Sequence, residues 1–98
     1  MIIEELNYLI SAEDADAFTA AYRRAGRCLT ECEACVEWEL RVCRDAPDLY
    51  VARIMWDGTD GLDDDWHRDA RLDEFQSILA PFADSRLDRL RFDAIDNG

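Results

Sequence analysis

Between Ala34 and Trp56 the apolar residues fall at every second position. Val36, Trp38, Leu40 and Val42 alternate with Glu37, Glu39 and Arg41, the period of a strand that buries one face. Asp45-Ala46-Pro47-Asp48 predicts a turn, and Leu49 to Trp56 a returning strand. On that second strand Tyr50, Ala52, Ile54 and Trp56 point one way. Leu49, Val51 and Met55 point the other, beside Arg53. A strand that is apolar on both sides needs cover on both sides.

The flanking pattern supplies only half of that cover. Met1 to Ile10 predicts a first strand, with Ile2, Leu6, Tyr8 and Ile10 on one face, interrupted by Glu4, and Ile3, Glu5, Asn7 and Leu9 on the other. Ser11-Ala12-Glu13-Asp14 predicts a helix start, a hydroxyl residue ahead of acids that suit the helix dipole. A helix from Asp14 to Glu31 follows, its stripe formed by Ala15, Phe18, Tyr22, Ala25, Leu29 and Cys32. Gly26 in its midst costs about 1 kcal/mol of helix propensity and predicts a close approach to the sheet. Asp57 to Gly61 predicts a loop, and Leu62 to Ala70 a short acidic helix. A second long helix carries Leu72, Phe75, Ile78, Leu79 and Phe82, with Pro81 to stop or kink it. Leu87 to Ile95 is the last strand, with Leu90, Phe92 and Ala94 alternating with Arg89, Arg91 and Asp93, and Asp96-Asn97-Gly98 is a tail.

The order strand, helix, strand, strand, helix, strand predicts an α+β fold of the ferredoxin-like kind, a four-stranded antiparallel sheet with helices on one face. The 98 residues form a single expected domain, 1–98. The sheet face left bare predicts a homodimer that packs sheet on sheet.

Charge narrows the partners. Twenty-three acids against 11 bases, all of them Arg, give a net charge of −12. Such a surface repels phosphate backbones, and no basic stripe runs along the chain, so nucleic acid is excluded as a partner. The acidic balance reads as solubility, with a cationic partner as the sharper alternative. No apolar run approaches the ~18–20 residues of a membrane span, and the N-terminus lacks the basic segment and apolar core of a signal peptide. A cytoplasmic protein without membrane contact is expected.

Cys28, Cys32 and Cys35 have the CxxxCxxC spacing that holds an iron–sulfur cluster in radical enzymes, but those enzymes need a barrel several times longer. A zinc set of Cys28, Cys32 and Cys35 with either His67 or Cys43 fits no standard pair of knuckles. No metal is expected, and the thiols read as small reduced packing residues. A disulfide between Cys32 and Cys35, or across a dimer, is the alternative.

With this order of elements, the segment Glu33-Ala34-Cys35-Val36-Glu37-Trp38-Glu39-Leu40, the charged turn around Pro47, the strand-ending Trp56 and the acidic run Asp63 to His67 resemble the antibiotic biosynthesis monooxygenase family. The resemblance spans residues 2 to 95. It departs from the family in having Ala34 where a Gly is usual before the Cys, and in a longer stretch from Trp56 to His67, so that either Trp66 or His67 takes the family's His place. The resemblance implies a dimeric α+β barrel and cofactor-independent oxygenation of a small aromatic or quinol-type metabolite by molecular oxygen. Haem-degrading members use an Asn on strand one, a Trp, and a His further along. Asn7 and Trp66 match the first two, but Gln76 and Ser77 stand near the third. Other members are non-catalytic ligand-binding or regulatory modules, and fold alone does not decide chemistry.

Oxygenation without a cofactor needs a base to form a phenolate, an apolar pocket, and a polar group to orient the substrate. His67, the only histidine, suits the base. Asn7 is the polar group within a strand, and Trp66 completes the candidate catalytic set. Tyr8, Tyr50, Trp38, Trp56 and Trp66 are candidates for an aromatic wall around the substrate, with Arg53 as a further substrate contact and one of Arg53, Arg89 and Arg91 as the anion-binding alternative. The competing structural reading makes His67 a surface or capping residue and bonds Asn7 to backbone or dimer mate. It places the aromatics in the core and pairs Arg53, Arg89 and Arg91 with Glu37 and Glu39 across the sheet or the dimer. The catalytic reading expects a pocket between helices and sheet holding Asn7 and at least one of His67, Trp66 and Tyr50. Filling of that space by Phe18, Tyr22, Phe75 and Phe82 would remove it.

Overall fold

The structure, a computed structural model, describes residues 1–57 and 70–95. Its elements are β1 (Ile2–Leu9), α1 (Ala15–Thr30), β2 (Cys35–Val42), β3 (Leu49–Trp56), α2 (Ala70–Leu79), a 3₁₀ helix (Ala80–Ser85) and β4 (Arg86–Asp93). The strands form one antiparallel sheet in the order β2-β3-β1-β4. This is the ferredoxin-like arrangement that the alternation predicts. The acidic helix expected over Leu62 to Ala70 lies outside the described residues except for Ala70, which opens α2. The loop glycines Gly58 and Gly61 and the tail from Asp96 also lie outside them. Among the described residues no helix is long and apolar enough to cross a membrane.

Local chemistry sets the element ends. Asp14 is the N-cap of α1, but its side chain makes no capping bond; instead it accepts a hydrogen bond from the Ser11 hydroxyl at 3.2 Å. The turn around Pro47 closes with the Leu49 N–H donating to the Ala46 carbonyl at 2.9 Å and the Cys43 N–H to the Leu49 carbonyl at 2.8 Å. Pro81 sits in the first positions of the 3₁₀ helix, where its missing N–H costs nothing, and the α-helical ladder stops at Leu79.

Helices cover one sheet face. Leu6, Tyr8 and Ile10, Ala52, Ile54 and Trp56 meet Phe18, Ala21, Tyr22, Ala25, Leu29 of α1 and Leu72, Phe75, Leu79 of α2 in one core. The α1 stripe is broader than its spacing alone predicts, since Ala21, Gly26 and Cys28 are buried as well. Gly26 faces the indole of Trp38 on β2: a Cβ there would lie 2.7 Å from Trp38 Cε2 and closer still to two neighbouring ring carbons. The Trp38 Nε1–H donates to Thr30 Oγ1 at 3.4 Å, and that hydroxyl donates to the Gly26 carbonyl at 3.0 Å.

No described helix packs on the other face. In register across β4, β1 and β3 it carries Leu90 and Phe92, Ile3 and Leu9, and Leu49, Val51 and Met55. Leu9, Leu90 and Phe92 each stay more than two-fifths exposed. Toward β2 the face becomes charged, with Arg53 3.5 Å from Glu37 and Arg41 2.8 Å from Glu39. The expected pairing of Arg53 with the β2 acids is therefore present. Across the sheet of one chain Arg89 does not pair with them: β4 and β2 are opposite edges, and Arg89 pairs with Glu4 instead. Arg91, on the same edge strand, is equally remote from the β2 acids.

Candidate functional site

The alternation of β1 decides which groups can meet under α2. Residues of even number face the helices, so Glu4, Leu6 and Tyr8 share that side and are buried. β4 pairs with β1 so that Leu6 is opposite Arg89 and Glu4 opposite Arg91. The polar alternate residues of β4 thus lie on the covered side, and its Leu90 and Phe92 on the open side. The β4 register shifts at Asn7/Tyr8, where Tyr8 pairs with Arg86, and this bulge brings Arg86 beside the same space.

Between these strands, α2 and the 3₁₀ helix, a cavity of about 350 Å³ remains, at the lower end of the range for ligand pockets. Glu4, Leu6 and Tyr8 line it from β1, and Arg86 and Arg89 from β4. Phe75, Gln76 and Leu79 of α2 with Ala80 and Ala83 of the 3₁₀ helix complete it. Gln76, Ala80, Ala83 and Arg86 are exposed residues. Glu4 is fully buried, and its Oε2 accepts a bond from Arg89 Nε at 2.5 Å. The pair is diagonal across the strands, within reach of a long side chain. Glu4 Oε1 has no hydrogen-bond partner among the described residues.

The Tyr8 and Tyr22 hydroxyls hydrogen-bond at 2.9 Å. Burial pushes both phenols above their ordinary range; for Tyr8 the Tyr22 bond and Arg86 work against the rise, whereas for Tyr22 its neighbour Tyr8 adds to it. Both therefore remain neutral at physiological pH. The Tyr8 edge of the cavity can offer a polar hydroxyl but no phenolate.

The candidates singled out from the sequence separate onto different surfaces. Tyr8 lines the cavity. Tyr50 packs instead on Phe18, ring centroids 5.3 Å apart. Phe18 also meets Tyr8 at 4.9 Å and Phe82 at 5.2 Å, and Tyr22 meets Phe75 at 6.0 Å. These aromatics fill the layer beneath α1, and the cavity begins beyond them, toward β4. Trp56 is wholly buried in the core. Asn7 and Arg53 are on the open face, with Asn7 Nδ2 donating to Asp88 Oδ1 at 2.6 Å and Arg53 beside Glu37. The expectation of Asn7 inside the cavity is corrected by strand parity, because Leu6 and Tyr8 take the covered side. Trp66 and His67 lie outside the described residues.

Glu4, Arg86, Phe75 and Gln76 are not among the site residues that the sequence suggests, and Arg89 is there only as one of three anion-binding alternatives. The signal for Glu4 was its interruption of an otherwise apolar strand face; for Arg89 it was an alternation on β4 that could face either way. The cysteines stand apart from the cavity. Cys28 and Cys32 are buried, and none of the four cysteines is in a disulfide. Burial, with Cys32 and Glu37 adding, pushes the Cys35 thiol up to about 11, so it is no nucleophile at neutral pH. Among the described residues no cluster of His, Cys, Asp and Glu could hold a metal.

No protein-family model matches the chain, and no curated protein matches it in sequence. Solved structures do match in fold. A candidate antibiotic biosynthesis monooxygenase from Bordetella bronchiseptica superposes with a TM-score of 0.74 at 16% identity, covering 96% of each chain. SnoaB, a cofactor-independent oxygenase from Streptomyces nogalater, crystallised as a mutant, gives 0.76 at 15% identity over 98% of this chain and 94% of its own. A candidate antibiotic biosynthesis monooxygenase from Deinococcus radiodurans gives 0.75 at 13% identity over 99% and 95%. The chain has the fold of these proteins over nearly its whole length.

Proposed function

We propose that the protein is a cofactor-independent monooxygenase acting on a small aromatic or quinol-type metabolite, working as a homodimer. The observation that carries this reading is the cavity of about 350 Å³ on the covered sheet face, with aromatic and charged walls, in a fold shared with a cofactor-independent oxygenase. The rings of Tyr8 and Phe75 suit a planar substrate. Arg86 places positive charge where a phenolate would form, which stabilises the anion that reduces oxygen. His67 and Trp66 are carried into this proposal as the base and as an aromatic neighbour. The substrate anion passes one electron to O2, and the resulting radical pair combines into a peroxide. One oxygen atom stays on the ring as a carbonyl and the other leaves as water, so the substrate itself supplies all four electrons and no external reductant is required.

A second reading is a non-catalytic dimeric module that binds a hydrophobic ligand. It is favoured by two facts, that Asn7 faces away from the cavity and that the Tyr8 hydroxyl is bonded to Tyr22. Haem degradation loses its strand-one Asn by the same placement of Asn7. Support for the dimer comes from Leu9, Leu90 and Phe92, exposed together on the open face.

Oxygen uptake with a panel of hydroquinones and naphthols separates the readings. The expected outcome is uptake by the wild type that falls at least about tenfold in Ala83→Trp, which fills the cavity from an exposed position, and in His67→Ala. No uptake across the panel selects the binding module. Full activity in Ala83→Trp moves the reaction out of this cavity.

A further inference from the structure

Among the described residues Glu4 is the charged side chain that is fully buried, and the site's chemistry as proposed leaves one of its oxygens unused. A carboxylate offers about four lone-pair positions. Here Arg89 Nε occupies Oε2, while Oε1 has neither solvent nor a hydrogen-bond partner among the described residues. Burying an unmatched acceptor opposes folding by about 1–3 kcal/mol, and an apolar pair in place of Glu4 and Arg89 would pack there without that cost. Glu4 is one of the residues that line the cavity, so a donor that displaces the atoms now closing off Oε1 would come from that side. The other charged wall, Arg86, makes no ion pair among the described residues and can donate to any ligand oxygen, hydroxyl or carbonyl alike.

We propose that Glu4 Oε1 accepts a hydrogen bond from a ligand hydroxyl, and that this contact makes the cavity select the hydroxylated, reduced form of an aromatic ring over its carbonyl or ether form. The inference rests on reading this cavity as the ligand site. An aromatic hydroxyl carries the donor that Oε1 lacks. A quinone or ether oxygen carries only lone pairs, and these would face the lone pairs of the carboxylate. Arg86 does not discriminate, so the preference originates at Glu4. A substrate whose hydroxyl becomes a carbonyl on oxidation would lose this bond, which favours product release.

The test is anaerobic calorimetry with a naphthalenediol and its dimethyl ether, so that binding is read without turnover. Wild-type protein is expected to bind the diol at least about tenfold more tightly than the ether, the ratio given by one unmatched buried acceptor. In Glu4→Gln the side-chain amide can turn its NH2 toward an ether oxygen, so the ratio should fall to within about twofold, with a gain in ether affinity that loss of folding would not produce. Equal wild-type affinities, binding of neither compound, or an unchanged ratio in a folded Glu4→Gln protein would overturn the proposal. The wild-type comparison decides even if the variant does not fold. Selective diol binding without oxygen uptake by any substrate would leave Glu4 in this role and remove the monooxygenase reading instead.

Discussion

A single hydrogen atom at Gly26 makes room for the Trp38 indole, and this small space ties α1 to an outer strand. Replacing Gly26 by Ala improves helix propensity by about 1 kcal/mol. The new methyl, however, would overlap the indole ring, and overpacking costs about 1–3 kcal/mol. The clash also disturbs the chain of bonds from Trp38 through Thr30 to the Gly26 carbonyl. The gain and the overpacking cost sum to a net loss of up to about 2 kcal/mol, read as a lower urea midpoint with an unchanged slope; a rise in midpoint would mean that the ring swings aside freely. This close approach was legible as a Gly within a helical stripe. The parity of β1 was equally legible, since Leu6 and Tyr8 assign the covered side and leave Asn7 opposite. What drew Asn7 into the candidate site was its chemical type, and residue type carries no direction.

At the level of elements, the Tyr8–Tyr22 bond joins β1 to α1 inside the core, and it makes their packing sensitive to alkali. Both phenols titrate above their ordinary value of 10.0 because burial disfavours the charged form. The unfolded chain gives up these protons near pH 10 while the folded chain keeps them. Their contribution is therefore complete below that pH and is lost as pH rises above it, at up to about 1.4 kcal/mol per pH unit for each tyrosine. Urea midpoints between about pH 9 and about pH 11 should fall accordingly. The combined Tyr8→Phe and Tyr22→Phe protein should show a flatter profile, and an equal slope would place the alkaline loss elsewhere. β4 is the element that pattern alone left ambiguous. Its apolar and basic residues alternate cleanly, but alternation does not say which set faces the helices. The answer depends on Glu4, in sequence 85 residues from Arg89, whose burial draws the arginines to the covered side. The cavity was illegible for the same reason, because its walls come from β1, α2, the 3₁₀ helix and β4, and no local period links them.

At the scale of the whole molecule, the proposed homodimer draws on the open face. Phe92, Leu90 and Leu9 lie there with Val51, Leu49 and Met55 behind a charged β2 border, a composition suited to a buried centre and polar rim. Sedimentation of the wild type is expected at twice the chain mass, and Phe92→Glu should shift it to the chain mass because it puts an unpaired charge into the apolar face that the proposed dimer buries. A wild-type monomer at micromolar concentration would exclude this assembly. The sequence order of the strands has a consequence for synthesis as well. Of the four strands β1 is translated first, yet in the sheet it lies between β3 and β4. Its hydrogen-bonding edges wait for residue 49 on one side and residue 86 on the other. During translation the apolar centre of the sheet is thus a stranded ribbon with no neighbour to pair with. Nascent chains arrested before β4 should bind chaperones and aggregate, and release of the last strand should end both.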